Sequence, residues 1–415
     1  MPQSATFWPM PAAPPQVDSP VASASTAERI ELSPDHWAVV ARSDTQAAVL
    51  NADWSDLAIA AATANVFYES WMLLPAWRAF GGLTDLIAVY RRGNSPAEPP
   101  VMLGLFPMVI GDRESTILGP VASLWTHPYG FSRTPLLRRG ASLEAIDLLS
   151  RALGKIAPRI GLCVWERCHD EGPVAQGLCD WRRRRGSFEL VTQRYNRAVL
   201  RVEPGRDADQ YAERAISKKQ RRELARQARR LGDLGTVRIT RPPVDEFLDI
   251  FLTLEAAGWK KDSAVAADAR HEDYLREIAA AADDRFDGSV LWLDDRPIAA
   301  KLNFLSSGPV ASRTAFAWKI GYDETLSKFS PGVLLELDTI EAMHGTGTPN
   351  TIDSCALPDH PMIDRLWSER LAVAHRVFSL PHASRVARLR LMALGWRMRL
   401  IRRDRGPEQV LRSNY

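Results

Sequence analysis

The sequence predicts an α/β (α+β) protein of two similar domains, each with a central mixed, mostly antiparallel sheet flanked by helices. Three observations predict this fold class. At 415 residues the chain exceeds one ordinary hydrophobic core. Short β-type runs alternate with helical periodicity from about residue 31 to residue 202. In the second half, two helical segments precede three strands, a helix and a further strand.

Composition places the chain among globular proteins and predicts an N-terminal tail. Apolar residues make up 46% and charged residues 25% of the chain, and a net charge of +3 is too small to identify a nucleic-acid partner. Residues 1–30 are rich in Pro, Ala and Ser, with no Lys or Arg before Arg29, so we expect a disordered tail rather than a signal peptide. No run approaches the ~18 apolar residues of a membrane span. We therefore expect a cytoplasmic protein.

The first predicted domain covers residues 31–205. The Gly-, Pro- and Asn-containing stretch 91–100 predicts a hairpin between the two strands that flank it. The predicted strands lie at 37–42, 83–90, 101–110, 160–165 and 187–200, and the predicted helices include 55–64 and 143–153.

The second predicted domain covers residues 206–380 and starts with a strongly cationic helix at 211–231. Its Lys and Arg residues surround one narrow apolar stripe of Leu224, Ala228 and Leu231. An antiparallel meander of three strands comes later in this domain. The elements after the cationic helix are a strand at 236–240, helices at 244–257 and 271–282, strands at 289–293, 297–306 and 310–320, a helix at 332–344 and a strand at 351–354.

Ser330-Pro331-Gly332 marks the start of the helix that follows the meander. A glycine in the first turn lets a phosphate approach the backbone, whose N–H groups carry the positive end of the helix dipole. The tripeptide therefore predicts a site for the pyrophosphate of a coenzyme. The alternative is a plain helix start, because Ser at the N-cap and Pro at the first helical position also begin helices.

Several short motifs recur in a characteristic order between about residues 206 and 380. They are Ser217-Lys218-Lys219-x-Arg221-Arg222, Leu254-Glu255-Ala256-Ala257-Gly258-Trp259-Lys260, Ile298-Ala299-Ala300-Lys301-Leu302, Ser330-Pro331-Gly332, and Asp353 followed by Trp367. On these motifs the chain resembles the GNAT superfamily, in the double-GNAT branch of CelD/BcsL-type cellulose and exopolysaccharide acetyltransferases. Fem-type peptidoglycan aminoacyltransferases are more distant relatives. The usual GNAT phosphate signature, Arg or Gln followed by spaced glycines, is absent, and Ser330-Pro331-Gly332 takes its place.

The resemblance implies an N-acyltransferase that uses acyl-CoA or acetyl-CoA as co-substrate, although another carrier thioester would satisfy the same sequence. The acceptor would be a primary amine on a cell-envelope precursor. Two acceptor classes remain open, an amino sugar of an exopolysaccharide and a long-chain lipid base, as in ceramide formation. Donor binding is expected at Ser330, Pro331, Gly332 and Lys319.

The candidate catalytic residues cluster in residues 353–363. Asp353 and His360 are candidate bases for the acceptor ammonium, and Cys355 is a candidate nucleophile or proton donor. Tyr322, at the end of the last meander strand, is a candidate donor to the departing thiolate. Each has a structural alternative, since the acidic and histidine side chains can form turns and the cysteine can fill a core.

Acceptor binding is expected at Glu255, Trp259, Lys260 and Trp367, where the resemblance locates the acceptor cleft. Trp259 can equally be core, and Lys260 can equally be solvated. We expect no metal, because the cysteines form no CxxC pair and the Cys168-His169 dipeptide has no partners at ligand spacing.

The C-terminal segment, residues 381–415, predicts a basic amphipathic helix at about 385–405. Its apolar stripe is Val386, Leu389, Met392, Ala393, Trp396 and Leu400. This stripe can lie on an anionic membrane, at the inner face of the cytoplasmic membrane, or dock onto the protein. Two other functions stay open. One is Fem-like aminoacyl transfer from charged tRNA, although no stacking aromatics interleave the cationic helix and nucleic acid is not expected. The other is a non-catalytic polysaccharide-assembly factor.

Overall fold

One mixed sheet contains all fourteen strands that the structure describes. The computed structural model describes residues 26–111, 118–203, 205–257 and 268–409, with side chains up to residue 399. The strands are β1 Glu28–Ser33, β2 His36–Ala41, β3 Asp85–Arg91, β4 Val101–Gly111, β5 Val121–Leu124, β6 Leu136–Leu137, β7 Leu162–His169, β8 Glu189–Arg201, β9 Val237–Thr240, β10 Phe286–Leu293, β11 Arg296–Leu305, β12 Thr314–Tyr322, β13 Thr351–Asp353 and β14 Glu369–Ser379.

Eleven α-helices of the described chain flank this sheet. They are α1 Asp44–Ala47, α2 Asn51–Ile59, α3 Ser70–Phe80, α4 Ser142–Ile156, α5 Gly172–Arg185, α6 Ala208–Ala215, α7 Lys218–Gly232, α8 Val244–Ala257, α9 Ala269–Ala282, α10 Pro331–Thr346 and α11 Arg385–Gln409. Within the described chain, no helix is both long and apolar enough to cross a membrane.

Two halves of the chain repeat one succession of elements. In the N-terminal half, helices α2 and α3 precede the antiparallel strands β3, β4 and β5, then α4, then β7 parallel to β5. In the C-terminal half, α8 and α9 precede β10, β11 and β12, then α10, then β13 parallel to β12. The predicted fold class, a mixed and mostly antiparallel sheet flanked by helices in two similar units, is confirmed.

The last strand of each half is exchanged between the halves. The strand order is β1-β2-β3-β4-β5-β7-β14-β8-β13-β12-β11-β10-β9, with β6 paired to β4. Strand β14 lies between β7 and β8, and β8 lies between β14 and β13. The predicted domain limits 31–205 and 206–380 fall in the connections from β8 to α6 and from β14 to α11. They stay a prediction, because one sheet joins both halves.

The sheet has two faces, because successive side chains of a strand point to opposite sides. On β11, Ala300 belongs to the core that includes α8 and α9, whereas Ala299 packs with residues of α7 and α10. On β7, Val164 packs with Leu391 of α11, whereas Trp165 contacts Phe378, which also meets α5. We call the face that carries α2, α3, α8, α9 and α11 the front face. The back face carries α4, α5, α6, α7 and α10.

Local signals predicted most of these elements, with the following corrections. The tail predicted at 1–30 is too long, because β1 begins at Glu28, and the helix predicted at 55–64 is α2, which ends at Ile59. The single cationic helix predicted at 211–231 is wrong, because Ile216 is extended and the Ser217 hydroxyl accepts a hydrogen bond from Gln220 N at 3.3 Å, which starts a second helix. The strand predicted at 310–320 begins at Thr314, after a 3₁₀ turn at Val310–Ser312. The predicted helix 244–257 has the same limits as α8.

Candidate active site

The sheet splits between β12 and β13. Residues 314–316 pair in parallel with residues 351–353, whereas β12 continues to Tyr322 along β11. The β11–β12 register contains a bulge that leaves Trp318 without a direct partner. Such a bulge turns backbone groups out of the ladder. The edge of β12 that faces the split can therefore offer backbone N–H groups to a ligand.

The start of α10 lies against the end of β12 on the back face. Ser330 adopts the left-handed conformation, with φ 53° and ψ 52°, and its side chain makes no cap hydrogen bond to the first turn. Pro331 is the first helical residue, and Gly332 is buried. A Cβ added to Gly332 would lie 3.3 Å from Ile320 Cδ1 and 3.8 Å from Tyr322 Cδ1. The glycine therefore permits close contact of the helix start with β12, and the first-turn N–H groups keep their positive potential.

Two exposed basic side chains flank this helix start. Lys328 Nζ lies 5.0 Å and Arg230 Cζ lies 5.9 Å from the ring centre of Phe329, which directly precedes Ser330. Both basic residues are exposed, and Phe329 is buried. Positive side chains and an uncapped helix N-terminus together favour a bound phosphate.

At the front of the split, Asp353 forms a buried ion pair with Arg197 of the N-terminal half. The other carboxylate oxygen accepts a hydrogen bond from Cys355 N at 2.9 Å, and Arg197 Nη1 donates to the carbonyl oxygen of Phe131 at 2.9 Å. Burial alone would lower the pKa of Arg197, but Asp353, Cys355 and Tyr195 together raise it above its ordinary value. The strand exchange makes this pair, because Arg197 lies on β8 and Asp353 on the adjacent β13.

His169, the last residue of β7, also faces Asp353. Its Nε2 lies 4.0 Å from Asp353 Oδ2 and has no hydrogen-bond partner among the described residues. Burial lowers the pKa of His169 to about 4, although Asp353 opposes that shift. The imidazole is therefore neutral at pH 7. In the sequence His169 is recognisable only as a candidate metal ligand, because its approach to Asp353 arises from the fold.

A cavity of about 500 Å³ opens in front of these groups. Both halves contribute to its wall, which includes Thr63, His169, Arg201, Thr314, Thr351 and Asp353. Arg201 and Glu171 face each other at the cavity with 4.0 Å between charged atoms, and both side chains are about half exposed. The cavity thus combines hydroxyl groups, a neutral imidazole and paired charges around a carboxylate.

Comparison with known proteins identifies the second half. The family model described as an acetyltransferase (GNAT) domain matches residues 218–357, from α7 to just beyond β13. The chain carries a GNAT acetyltransferase domain. The match includes Ser330, Gly332 and Asp353 and ends before His360 and Trp367. The predicted GNAT-type acyltransferase is thereby confirmed for this part of the chain.

A solved structure shares the fold of most of the chain. FemX is 9% identical, with a TM-score of 0.53, over 79% of this chain and 95% of that protein. A tandem GNAT protein from the clavulanic acid biosynthesis pathway is 13% identical, with a TM-score of 0.41, over 83% of this chain and 99% of that protein. No curated protein matches the sequence. The likeness to FemX shows the fold alone.

Of the other predicted catalytic residues, Cys355 adjoins the split but His360 does not. Burial raises the pKa of the Cys355 thiol well above its ordinary value, and Asp353 adds to that shift. The thiol is therefore protonated at neutral pH. His360 lines a separate cavity of about 500 Å³ on the back face, together with Asn196 and Arg370. Its Nδ1 accepts a hydrogen bond from Ile363 N at 3.3 Å.

Tyr322 lies on the back face beside the start of α10, half-buried and near Gly332. The structure places Trp367 in the core behind the sheet, fully buried, with Lys301 Nζ 5.7 Å from its ring centre. Lys301 also forms a buried ion pair with Glu336 of α10 at 2.6 Å. These contacts fix α10 on the back face.

Lys319 and Glu255, predicted as donor and acceptor ligands, form an ion pair on the front face of the GNAT domain. Nearby, Tyr129 of the N-terminal half bonds to His271 of α9, with 2.8 Å between the hydroxyl and Nδ1. Lys319 is therefore separated by the sheet from the start of α10, where the other predicted donor ligands lie. The remaining two predicted acceptor ligands, Trp259 and Lys260, lie outside the described residues.

The described residues contain no group of three or more His, Cys, Asp or Glu side chains placed to hold a metal ion.

The candidate site consists of two parts on opposite faces of the sheet. A phosphate-type helix start lies behind the split, and a polar cavity with Asp353 and His169 lies in front of it.

Proposed function

We propose that the protein is an acyl-CoA-dependent N-acyltransferase that acylates a primary amine of a cell-envelope precursor. The observation that supports this proposal is the split between β12 and β13, with the uncapped start of α10 behind it and the cavity at Asp353 in front. A donor whose pyrophosphate lies at Gly332 could extend its thioester into the split. The acceptor amine would approach from the cavity.

In this arrangement the amine nitrogen attacks the thioester carbonyl carbon. The C–N bond forms, the C–S bond breaks, and the thiolate leaves toward the back face, where the Tyr322 hydroxyl can protonate it. Backbone N–H groups at the Trp318 bulge would stabilise the carbonyl oxygen. The amine proton passes to His169 Nε2, and the Asp353 carboxylate stabilises the imidazolium that results. Direct transfer needs no acyl-enzyme, which agrees with a protonated Cys355.

Hydroxyl groups in the cavity suit both acceptor classes. Thr63, Thr314 and Thr351 line it, and Arg201 lies at its edge. An amino sugar and a long-chain lipid base each carry a hydroxyl near the amine, which such side chains can bind. The two classes are separated by mass spectrometry of envelope lipids and polysaccharide amines in cells with and without the protein. Loss of an N-acyl lipid with accumulation of its free base identifies the lipid, and de-acylated amino sugars identify the polysaccharide.

The base is tested by a matched pair of variants. We expect His169→Gln to lower kcat by about 10²–10⁴-fold, the range for a general base, with little change in donor binding. His360→Gln, on the opposite face, should leave kcat within about twofold. A loss of kcat in His360→Gln with normal kcat in His169→Gln would identify His360 as the general base instead of His169.

A second candidate function is aminoacyl transfer from charged tRNA. It is favoured by exposed basic residues of α7 on the same face as the start of α10, which include Lys218, Lys219, Arg222, Arg229 and Arg230. Salt-sensitive tRNA binding, together with no binding of acyl-CoA, would support this function. Failure to bind either donor would support the non-catalytic alternative.

A further inference from the structure

Helix α11 docks onto the front face through one of two apolar stripes. Leu391 is fully buried in a cluster with strand residues of the N-terminal half, and Ala387 packs against the same cluster. A Cβ added to Gly395 would lie 3.4 Å from Leu190 Cδ1 of β8. Residues 387, 391 and 395 are four apart, so they share one side of the helix.

The second stripe points away from the protein. Val386, Leu389, Met392 and Trp396 are 57%, 59%, 43% and 69% exposed. At 3.6 residues per turn, this stripe lies on the side of α11 opposite to the docked one. Four large apolar side chains on one exposed helix side form a patch of the kind that marks an interaction surface. The sequence left two alternatives for this stripe, contact with a membrane and docking onto the protein. The four side chains named above do not dock onto the protein.

The charge around this stripe has one sign. Residues 381–399 contain five arginines and no Asp or Glu. All five arginines are exposed, and they lie on both edges of the stripe: Arg385, Arg388, Arg390, Arg397 and Arg399. A basic helix with Trp and aliphatic side chains on its outer side is typical of a helix that lies in the headgroup region of an anionic bilayer. A protein partner would need an acidic rim of matching length.

We propose that the outer stripe of α11 binds the surface of an anionic lipid membrane, with the front face of the sheet turned toward the bilayer. Strand β14 links this stripe to the cavity. Val377 packs under α11 and Leu371 lines the cavity, and six residues separate them on one face of the strand, or about 20 Å. Docking would therefore hold the cavity on the membrane side. The docking itself does not depend on acyl transfer.

Vesicle flotation with the full chain tests the proposal. We expect co-flotation with vesicles of phosphatidylcholine and phosphatidylglycerol, weak flotation with phosphatidylcholine alone, and release as salt rises. The double variant Leu389→Ser/Trp396→Ser should bind anionic vesicles at least about tenfold more weakly, because both apolar side chains leave the interface. Circular dichroism of each variant should match that of the wild type, since both side chains are exposed.

The matched control is Ile59→Ser/Val310→Ser, which removes two similarly exposed apolar side chains elsewhere in the chain. It should float like the wild type. Equal flotation with neutral and anionic vesicles, absence of flotation, or an unchanged double variant would each overturn the proposal. So would a dimer in sedimentation analysis that the double variant abolishes, because a second copy would then cover the stripe. Thiol release from acyl-CoA is measured separately, with the protein in the absence of vesicles. Failure of membrane docking and failure of acyl transfer are therefore distinguishable.

Discussion

The ion pair of Arg197 and Asp353 allows the strand exchange and the site to be tested together. Their side chains are 2% and 3% exposed. After Arg197→Met, the buried carboxylate would keep, among the residues that the structure describes, the Cys355 N–H at 2.9 Å and the neutral His169 at 4.0 Å. Removing one member of a buried pair costs about 3–5 kcal/mol, since an uncompensated charge remains. The carbonyl oxygen of Phe131 also loses a donor, which adds about 1 kcal/mol.

Urea denaturation at pH 7, followed by circular dichroism, measures this loss of unfolding free energy. Asp353→Asn should cost a similar amount, because it leaves the Arg197 guanidinium buried beside a neutral group. The double variant Arg197→Met/Asp353→Asn should lose about 2–3 kcal/mol less unfolding free energy than the two single losses added together, since neither charge then remains. Arg183→Met is the control, as it removes an exposed partner of Asp180 and should cost at most about 1 kcal/mol.

Two results would contradict a buried ion pair between Arg197 and Asp353. A loss below about 1 kcal/mol in Arg197→Met would mean that water reaches the carboxylate and that the pair is not buried in solution. Additive losses in the double variant would mean that the two side chains do not interact, which contradicts the pairing of β8 with β13.

Three further predictions concern donor binding, acid stability and the placement of α10. Gly332→Val should weaken CoA binding, measured by calorimetry, at least about tenfold, because the valine side chain would push the start of α10 away from β12. The control is Gly345→Val, which should leave CoA binding unchanged because nothing lies within 4 Å of its added Cβ. The pKa of His169 is about 4, below its ordinary 6.5, so the unfolded chain protonates first. Protonation of His169 alone should therefore lower the unfolding free energy by about 3 kcal/mol as pH drops from about 6.5 to 4. His169→Gln should remove that part of the pH dependence of the urea midpoint, whereas the part due to His127 and His375, whose pKa values burial lowers to about 3 and about 4, should remain. Lys301→Met should lower the unfolding free energy, measured by urea denaturation, by about 3–5 kcal/mol, and the double variant Lys301→Met/Glu336→Met should recover much of that loss. An equal loss in the single and the double variant would contradict a buried ion pair that holds α10.

Local pattern accounts for most of the helices and strands. Period-two and helical spacing predicted the meander, α8 and the start of α10, because neighbouring residues decide these features. Strand β14 was not predicted, and neither was the exchange of β8 and β14. Pairing of strands so far apart in sequence leaves no local signal. For that reason the approach of His169 and Arg197 to Asp353 could not be predicted, whereas Asp353 itself was.

The dense segment 353–363 shows how sequence proximity can mislead. Its reactive side chains suggested one cluster, yet Cys355 and Asp359 adopt positive φ values of 55° and 59°. These turns carry His360 to the back face, away from the Asp353 cavity. A similar limit applies to α11, where periodicity predicted the helix and one apolar stripe. It could not predict that another stripe, at residues 387, 391 and 395, docks instead.

Amine-dependent release of CoA is the direct test of N-acyl transfer by this protein. Purified protein, acyl-CoA and either a long-chain amino alcohol or an amino sugar are combined, and free thiol and N-acyl product are measured together. We expect one thiol per N-acylated amine, with turnover that falls in His169→Gln and weaker donor binding in Gly332→Val. Acyl-CoA that neither binds nor reacts with either amine, while charged tRNA binds, would contradict this expectation.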